Sequence, residues 1–288
     1  MAIGILSAGA LHCADHVWGE TYMKPICEST CERAWLAAAE HLADAPSQTE
    51  YNLVIEIENS TVHDTSDHRV RQVVEDFLIA RGSHPIATVA GTIFPAAEYR
   101  DHGAHGVYEL YPTEIYPNIR LGPGDWGRYA YRLVRWKTPD GRTINPLETV
   151  VDKIKQQLGN GRRMRQCYEL SLTDSGIDLP LYDPTVDAGR TRGGPCLSHI
   201  SLKIGQSDIL YLTAVYRSHT YVARALGNFI GLAALQAFVC VETGLEPGPL
   251  VCLSTYARLE TGDDGSWSTR DAQELVAAAR AALDQEVL

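Results

Sequence analysis

Apolar and polar residues change their period several times along this chain, and each change marks a structural element. Around Ala34 to Leu42 the apolar spacing is helical, whereas Tyr51 to Glu58 (YNLVIEIE) alternates as a half-buried strand does. Helical spacing returns from His68 to Ile79. The Gly- and Tyr-rich stretch from Gly91 to Pro123 carries too many turn signals for one regular element and reads as a substrate-covering region. Downstream, the pattern predicts a helix from Leu147 to Leu158 and strands at Met164 to Leu172, Leu197 to Ile204 and Leu210 to Tyr216.

From Tyr221 to Val241 the sequence is apolar almost all round, which predicts a helix buried at the centre of the protein. Asn228 stands out on it, because a buried amide is costly unless neighbouring backbone or a ligand satisfies it. The strand-like segment VCLSTYARLE follows. A last helix is expected to begin near Ser268, capped by its hydroxyl, with Asp271 in the first turn. The order of elements predicts an α+β fold, a mixed β-sheet packed on a long buried central helix. No repeat or low-complexity linker divides the chain, so residues 1–288 read as one domain.

Composition narrows the functions available. At 288 residues and 45% hydrophobic, the chain can bury a sizeable core, and a net charge of −11 argues against a broad grip on a nucleic-acid backbone. No apolar run is expected to reach the length that spans a bilayer and the first residues lack a charged leader, so a cytoplasmic protein is expected. The seven cysteines have no dense, regular spacing, as free thiols in a reducing compartment would not. Cys27 and Cys31 could share a helix face and meet His12 or His16 around a metal. Without a second closely spaced ligand pair, buried or idle thiols are the better reading, and no metal is expected. A metal hydrolase built on His63, Asp64, Asp67 and His68 is a further, weaker reading.

Chemistry concentrates later in the chain. Gly193, Gly194 and Pro195 form a turn that would project Cys196 from the start of a strand. A thiol there is an ordinary packed residue unless cations hold it as thiolate. Arg162 and Arg163 stand at a helix-to-strand junction, and Arg217-Ser218 ends another strand. Guanidinium groups at element ends suit a phosphate, whose oxygens they meet bidentately.

Taken in order, these pieces resemble the thymidylate synthase superfamily. A stretch similar to WGRYAYRLVRW (Trp126 to Trp136) is followed there by a helix, an Arg-Arg pair, a Pro-Cys nucleophile, an Arg-Ser and a helix bearing an asparagine. Asn228 falls eleven residues after Arg217, the family's spacing. The resemblance is good from about Gly124 to Glu260, and the N-terminal part to about residue 120 diverges. It implies a thymidylate synthase-like fold, with Cys196 as nucleophile, Arg162, Arg163, Arg217 and Ser218 for phosphate, Asn228 for the base and Tyr256 for the sugar. Glu75, seven residues before Gly82, would be the catalytic glutamate, with Glu56 and Glu58 as competing candidates. Phe94 would flank folate and base where the family has tryptophan.

The implied reaction is transfer of a one-carbon unit from 5,10-methylenetetrahydrofolate to C5 of a pyrimidine nucleoside monophosphate. Cys196 would add to C6 and make C5 nucleophilic, and a glutamate would manage the proton transfers. The implied assembly is a homodimer in which Arg162 and Arg163 reach the partner's site. Several departures bear on the product. Phe94 replaces the tryptophan, the tail LDQEVL is polar, and Leu197, Thr220 and Ser254 stand where the family commonly has histidine, aspartate and histidine. A wetter site favours capture of the exocyclic methylene by water over hydride. Hydroxymethylation of CMP or dCMP, as in nucleoside-antibiotic biosynthesis, is therefore set ahead of methylation of dUMP. A non-catalytic nucleotide-binding homologue is the remaining alternative.

Overall fold

A computed structural model describes residues 24–121, 126–138, 140–159, 178–180 and 194–285. Strand β1 (Ile26–Glu28) leads to Thr30, whose side chain accepts from the Arg33 N–H and caps α1 (Cys31–Asp44). After β2 (Thr49–Ile57), Asp64 opens α2 (Thr65–Ala80). Asp64 accepts from the Asp67 N–H while Asp67 accepts from the Asp64 N–H, a reciprocal cap that satisfies two otherwise orphaned donors. Helices α3 (Ile86–Gly91) and α4 (Ala96–His105) follow.

The turn-rich region is therefore helical, but in pieces. Gly103 breaks α4 at a positive φ of 60°, a π-type helix containing Pro112 runs over Gly106–Ile115, and a 3-10 turn closes at Tyr116–Asn118. Helix α5 (Tyr129–Val134) precedes a two-stranded ribbon of β3 (Trp136–Lys137) and β4 (Thr143–Ile144), then α6 (Pro146–Gly159). The remaining elements are β5 (Asp178–Pro180), β6 (Leu197–Ile204), β7 (Ile209–Tyr216), β8 (His219–Thr220), α7 (Ala225–Thr243), β9 (Glu246–Arg258) and α8 (Thr269–Leu283). Ser268 and Asp271 form a second reciprocal cap, at the start of α8. The strand expected at Met164 to Leu172 lies outside the described residues.

The main sheet runs β1-β2-β9-β7-β6-β5, with β8 alongside β9. It is mixed: β1 with β2 and β7 with β9 are parallel, while β2 with β9, β6 with β7 and β5 with β6 are antiparallel. Alternation sends Leu53, Ile55 and Ile57 of β2, and Leu210, Leu212, Ala214 and Tyr216 of β7, into the core. The other face carries Tyr211, which is exposed, and the partly exposed Val54, Thr213 and Val215. The α+β expectation, with a mixed sheet, agrees with this architecture.

Helix α7 packs on the buried face. By length and composition it could cross a bilayer, which corrects the reading that no apolar run reaches that length; here it is mostly buried inside the protein. It starts four residues later than its apolar pattern suggests, because Tyr221 to Arg224 form a turn held by Glu260, which accepts from the Val222 and Ala223 N–H groups. Gln236, a second amide on α7 that the sequence reading does not single out, is fully satisfied. It accepts from Ser60 Oγ and donates to the Leu210 and Gly248 carbonyls at 2.7, 2.9 and 2.8 Å.

Gly227 and Gly231 let α7 approach α3 closely. A β-carbon at Gly231 would lie 2.7 Å from the Ala90 carbonyl oxygen, and one at Gly227 would lie 2.6 Å from Val89 Cβ. Alanine would gain about 1 kcal/mol of helix propensity at Gly231, but the clash is with backbone and overpacking costs about 1–3 kcal/mol. Gly231→Ala is expected to lower stability by about 1 kcal/mol net, read as a lower denaturant midpoint with an unchanged slope; equal or greater stability would contradict the close packing.

Candidate active site

A cavity of about 1080 Å³ lies against α3, the start of α4 and the β7–β8 end of the sheet. Because Gly227 and Gly231 admit α3 so closely, its backbone from Ala87 to Gly91 forms part of the wall. Cys196, Ser218, His219, Thr220, Asn228 and Arg258 supply chemistry to the same cavity, and Phe94 lines it as well. Exposed His84, Arg100 and Arg224 and half-buried Glu98 and Arg128 add polar lining.

Cys196 sits one residue before β6, after buried Gly194 and Pro195. Its N–H and that of Leu197 both donate to Tyr129 Oη, at 2.7 and 2.9 Å, and its carbonyl accepts from the Arg217 N–H at 2.9 Å. Backbone donors at a buried strand start need a partner, and the Tyr129 hydroxyl supplies it. Burial pushes Tyr129 well above the usual phenol range, so it stays a neutral hydroxyl. Burial also pushes the Cys196 thiol up; Arg217, Arg258 and Arg224 pull the other way without cancelling it. The sequence reading expected cations to favour the thiolate, and they do, but desolvation outweighs them.

Asn228, on the first turn of α7, is 7% exposed and faces His219, with 3.0 Å between its Nδ2 and the His219 Nε2. The opposite ring nitrogen, Nδ1, lies 2.9 Å from Ser254 Oγ, and the ring stacks on Tyr216 at 4.0 Å. Burial lowers the His219 pKa to about 3, so the imidazole is neutral. Among the described residues, two buried donors near this site have no hydrogen-bond partner: Tyr216 Oη and Arg258 Nε. Both residues line the cavity, and unpaired buried donors there fit a ligand rich in acceptor oxygens.

No family model matches the chain. It is 27% identical over 135 residues, 47% of its length and 53% of the relative's, to a Methanococcoides burtonii protein named "Putative thymidylate synthase". It is 31% identical over 132 residues, 45% of its length and 40% of the relative's, to the thymidylate synthase of Photobacterium profundum. The matches thus span about half the length of these curated relatives. These relatives support a thymidylate synthase-like superfamily.

Of the residues a thymidylate synthase-like reading singles out, the structure brings Cys196, Ser218, Asn228 and Phe94 to one cavity. Phe94 is 1% exposed, packed against Phe238 and Tyr99 with ring centroids 5.1 and 6.1 Å away. Arg217 is exposed, just behind Ser218, and acts on the thiol through its charge. Tyr256 is not among the cavity-lining residues and lies 5.4 Å from the ring of Tyr51 on β2. Glu75 also stands outside the lining: its carboxylate accepts from the Ile86 N–H at 2.7 Å and so caps α3. Glu56 and Glu58, at the end of β2, are outside it too. Arg162 and Arg163 lie outside the described residues, as do His12 and His16.

The other candidate cluster is used structurally. Asp64 and Asp67 cap α2 and pair with Arg33, while His63 sits beside the buried Glu32, which Arg71 also contacts. Among the described residues no group of three His, Cys, Asp or Glu side chains is arranged to hold a metal.

Sequence reasoning missed Tyr129, His219, Arg224, Arg258 and the carboxylate of Glu98. Tyr129 was inside the quoted WGRYAYRLVRW, but nothing local distinguishes it from Tyr131. His219 had one available signal, an imidazole lodged between Ser218 and Thr220 at a strand end.

Because the raised thiol pKa delays formation of the thiolate, the nucleotide-free protein should be alkylated at Cys196 by iodoacetamide with a pH midpoint above that of a free cysteine peptide. Arg217→Ala should raise it further. Peptide mass spectrometry of the modified Cys196 across alkaline pH checks both; a midpoint below the free thiol's would contradict the balance described.

Proposed function

We propose that this chain is a single thymidylate synthase-like domain that transfers a one-carbon unit to C5 of a pyrimidine nucleoside monophosphate, with hydroxymethylation of CMP or dCMP as the reaction. The observation that carries the reading is a thiol, Cys196, sharing one cavity with an anchored amide, Asn228, and with the cations Arg224 and Arg258. Such a set suits a planar base with a phosphate. The amide can read the N3 and C4 edge of the base, guanidinium groups can hold phosphate, and the thiol can add to C6.

The site also fits a second substrate. About 1080 Å³ exceeds what a nucleotide alone requires, and Ile115, Ile119 and Trp126 with the α3 wall offer apolar surface for a pterin ring. Methylenetetrahydrofolate bound there would supply the one-carbon unit. For the protein's own part, ligand phosphate would organise the arginines, and Cys196 must lose its proton before it can add to C6. Glu98, which lines the cavity, is the carboxylate best situated for proton transfer at the base; Glu75 would act from behind the wall by fixing α3.

Water access supports the hydroxymethyl product. Phe94 is locked between Phe238 and Tyr99, and His84, Glu98, Arg100 and Arg128 give the cavity a wettable lining. Methylation of dUMP is the second reading, supported by Asn228, an amide suited to the N3 and O4 atoms of uracil. The homodimer with Arg162 and Arg163 shared across the interface remains part of the proposal. A sheet face bearing partly exposed Val54 and Val215 and exposed Tyr211 supports it. A cytoplasmic setting suits both substrates and free thiols.

The test is to incubate CMP, dCMP and dUMP separately with methylenetetrahydrofolate and weigh the products. A cytidylate gaining a hydroxymethyl group is expected; a methyl group on dUMP would select the second reading, the two products differing by one oxygen. Cys196→Ala should lower product formation and tritium release from C5-labelled substrate by at least about 10³-fold. Full tritium release by that variant would contradict the covalent mechanism.

A further inference from the structure

The amide of Asn228 does not stand alone. It begins a buried chain that runs to His219 Nε2 at 3.0 Å, from His219 Nδ1 to Ser254 Oγ at 2.9 Å, and from there to Tyr221 Oη at 3.4 Å. His219, Ser254 and Tyr221 are 2%, 0% and 0% exposed, and burial keeps Tyr221 far above the usual phenol range. Every link is made by neutral groups, and each of the three beyond the amide can either donate or accept.

Such a chain has two self-consistent states. In one, Asn228 Nδ2 donates to His219 Nε2, the Nδ1–H donates to Ser254, and the Ser254 hydroxyl donates on to Tyr221. In the other, Tyr221 donates to Ser254, Ser254 donates to Nδ1, and the Nε2–H donates to an Asn228 amide turned over so that Oδ1 faces the ring. Both end states are neutral and hold the same number of protons, so neither incurs the cost of an ionised buried group. Passing between them requires the ring to gain a proton at one nitrogen and lose one at the other by exchange with solvent from the cavity, through a transient imidazolium.

Turning the amide over exchanges donor and acceptor along the edge it offers the cavity. Uracil donates at N3 and accepts at O4; cytosine accepts at N3 and donates at N4. The two bases therefore demand opposite amide orientations. Resting on the nucleotide reading above, we propose that Asn228, His219, Ser254 and Tyr221 form a reversible tautomer relay through which one amide reads either pyrimidine. His219 acts as a positioning residue: it sets the direction of the amide that meets the base. Ser254 makes the relay reversible, because a hydroxyl satisfies Nδ1 whether or not that nitrogen carries the proton. The site then accepts cytidylate and uridylate with comparable affinity, and selection between them falls to the chemical step.

The experiment uses the full chain with 15N-labelled histidine and compares complexes with CMP and UMP, or dCMP and dUMP, by NMR. Dissociation constants within about tenfold of each other are expected, with His219 protonated at Nδ1 in one complex and at Nε2 in the other. In Ser254→Ala the Nδ1–H loses its acceptor, and a buried donor is costlier to leave unpaired than a lone pair, so one tautomer is locked. That variant should lose at least about tenfold in affinity for one base and stay within about threefold for the other. The same His219 tautomer in both complexes overturns the relay, as does equal weakening of both bases, or of neither, in Ser254→Ala. Binding of only one base by the natural chain also overturns it and leaves the nucleotide reading intact. If neither nucleotide shifts any resonance, the nucleotide reading itself fails and the relay with it.

Discussion

Helix α7 carries so little polar surface that it can exist only between the sheet and a second layer of helices, and that burial determines where the groups of the cavity can stand. Its glycines bring α3 to within contact of its backbone, which makes α3 a wall. Its first turn brings Asn228 to the end of the sheet, where β7 gives way to β8. An unpaired amide there would cost about 1–3 kcal/mol, comparable with a sizeable fraction of a domain's net stability. His219 removes that cost, and Gln236 is satisfied in the same way further along the helix.

The second balance is electrostatic. The chain carries a net charge of −11, yet Arg128, Arg224 and Arg258 converge on one cavity. Low dielectric works in both directions there: it strengthens the pull of the arginines on the Cys196 thiol and penalises the thiolate itself. With desolvation ahead, the half-buried thiol is held toward its protonated form, which oxidises more slowly than a thiolate. Tyr129 fixes its position meanwhile by accepting both strand-start N–H groups.

Much of this was legible in the sequence where physics is local. Alternation at Tyr51 to Glu58 and at Leu197 to Ile204 gave strands, and Ser268 with Asp271 gave a cap, because period and capping depend on near neighbours. The helical pieces between Ala96 and Asn118 were less legible, since glycine and proline punctuate them so densely that no single period survives. Cys196, Ser218, Phe94 and Asn228 were singled out through the resemblance to thymidylate synthases. Tyr129 with Cys196, and His219 with Ser254, were not, because these pairings join segments far apart in sequence and no periodicity encodes them. Glu75 shows the opposite limit. Its spacing to Gly82 fits the resemblance, but its carboxylate holds the Ile86 N–H, and only three-dimensional contact reveals that.

The proposed attack of Cys196 on a pyrimidine ring within this cavity is tested most directly by trapping the bond it forms. A 5-fluoropyrimidine monophosphate has no hydrogen to release from C5, so once the one-carbon unit is attached the adduct has no route forward. Incubation with 5-fluoro-CMP or 5-fluoro-dUMP and methylenetetrahydrofolate, followed by peptide mass spectrometry, should find the nucleotide and folate masses together on the peptide containing Cys196. An unmodified Cys196 peptide with both analogues, from protein shown to bind the nucleotide, would contradict the account.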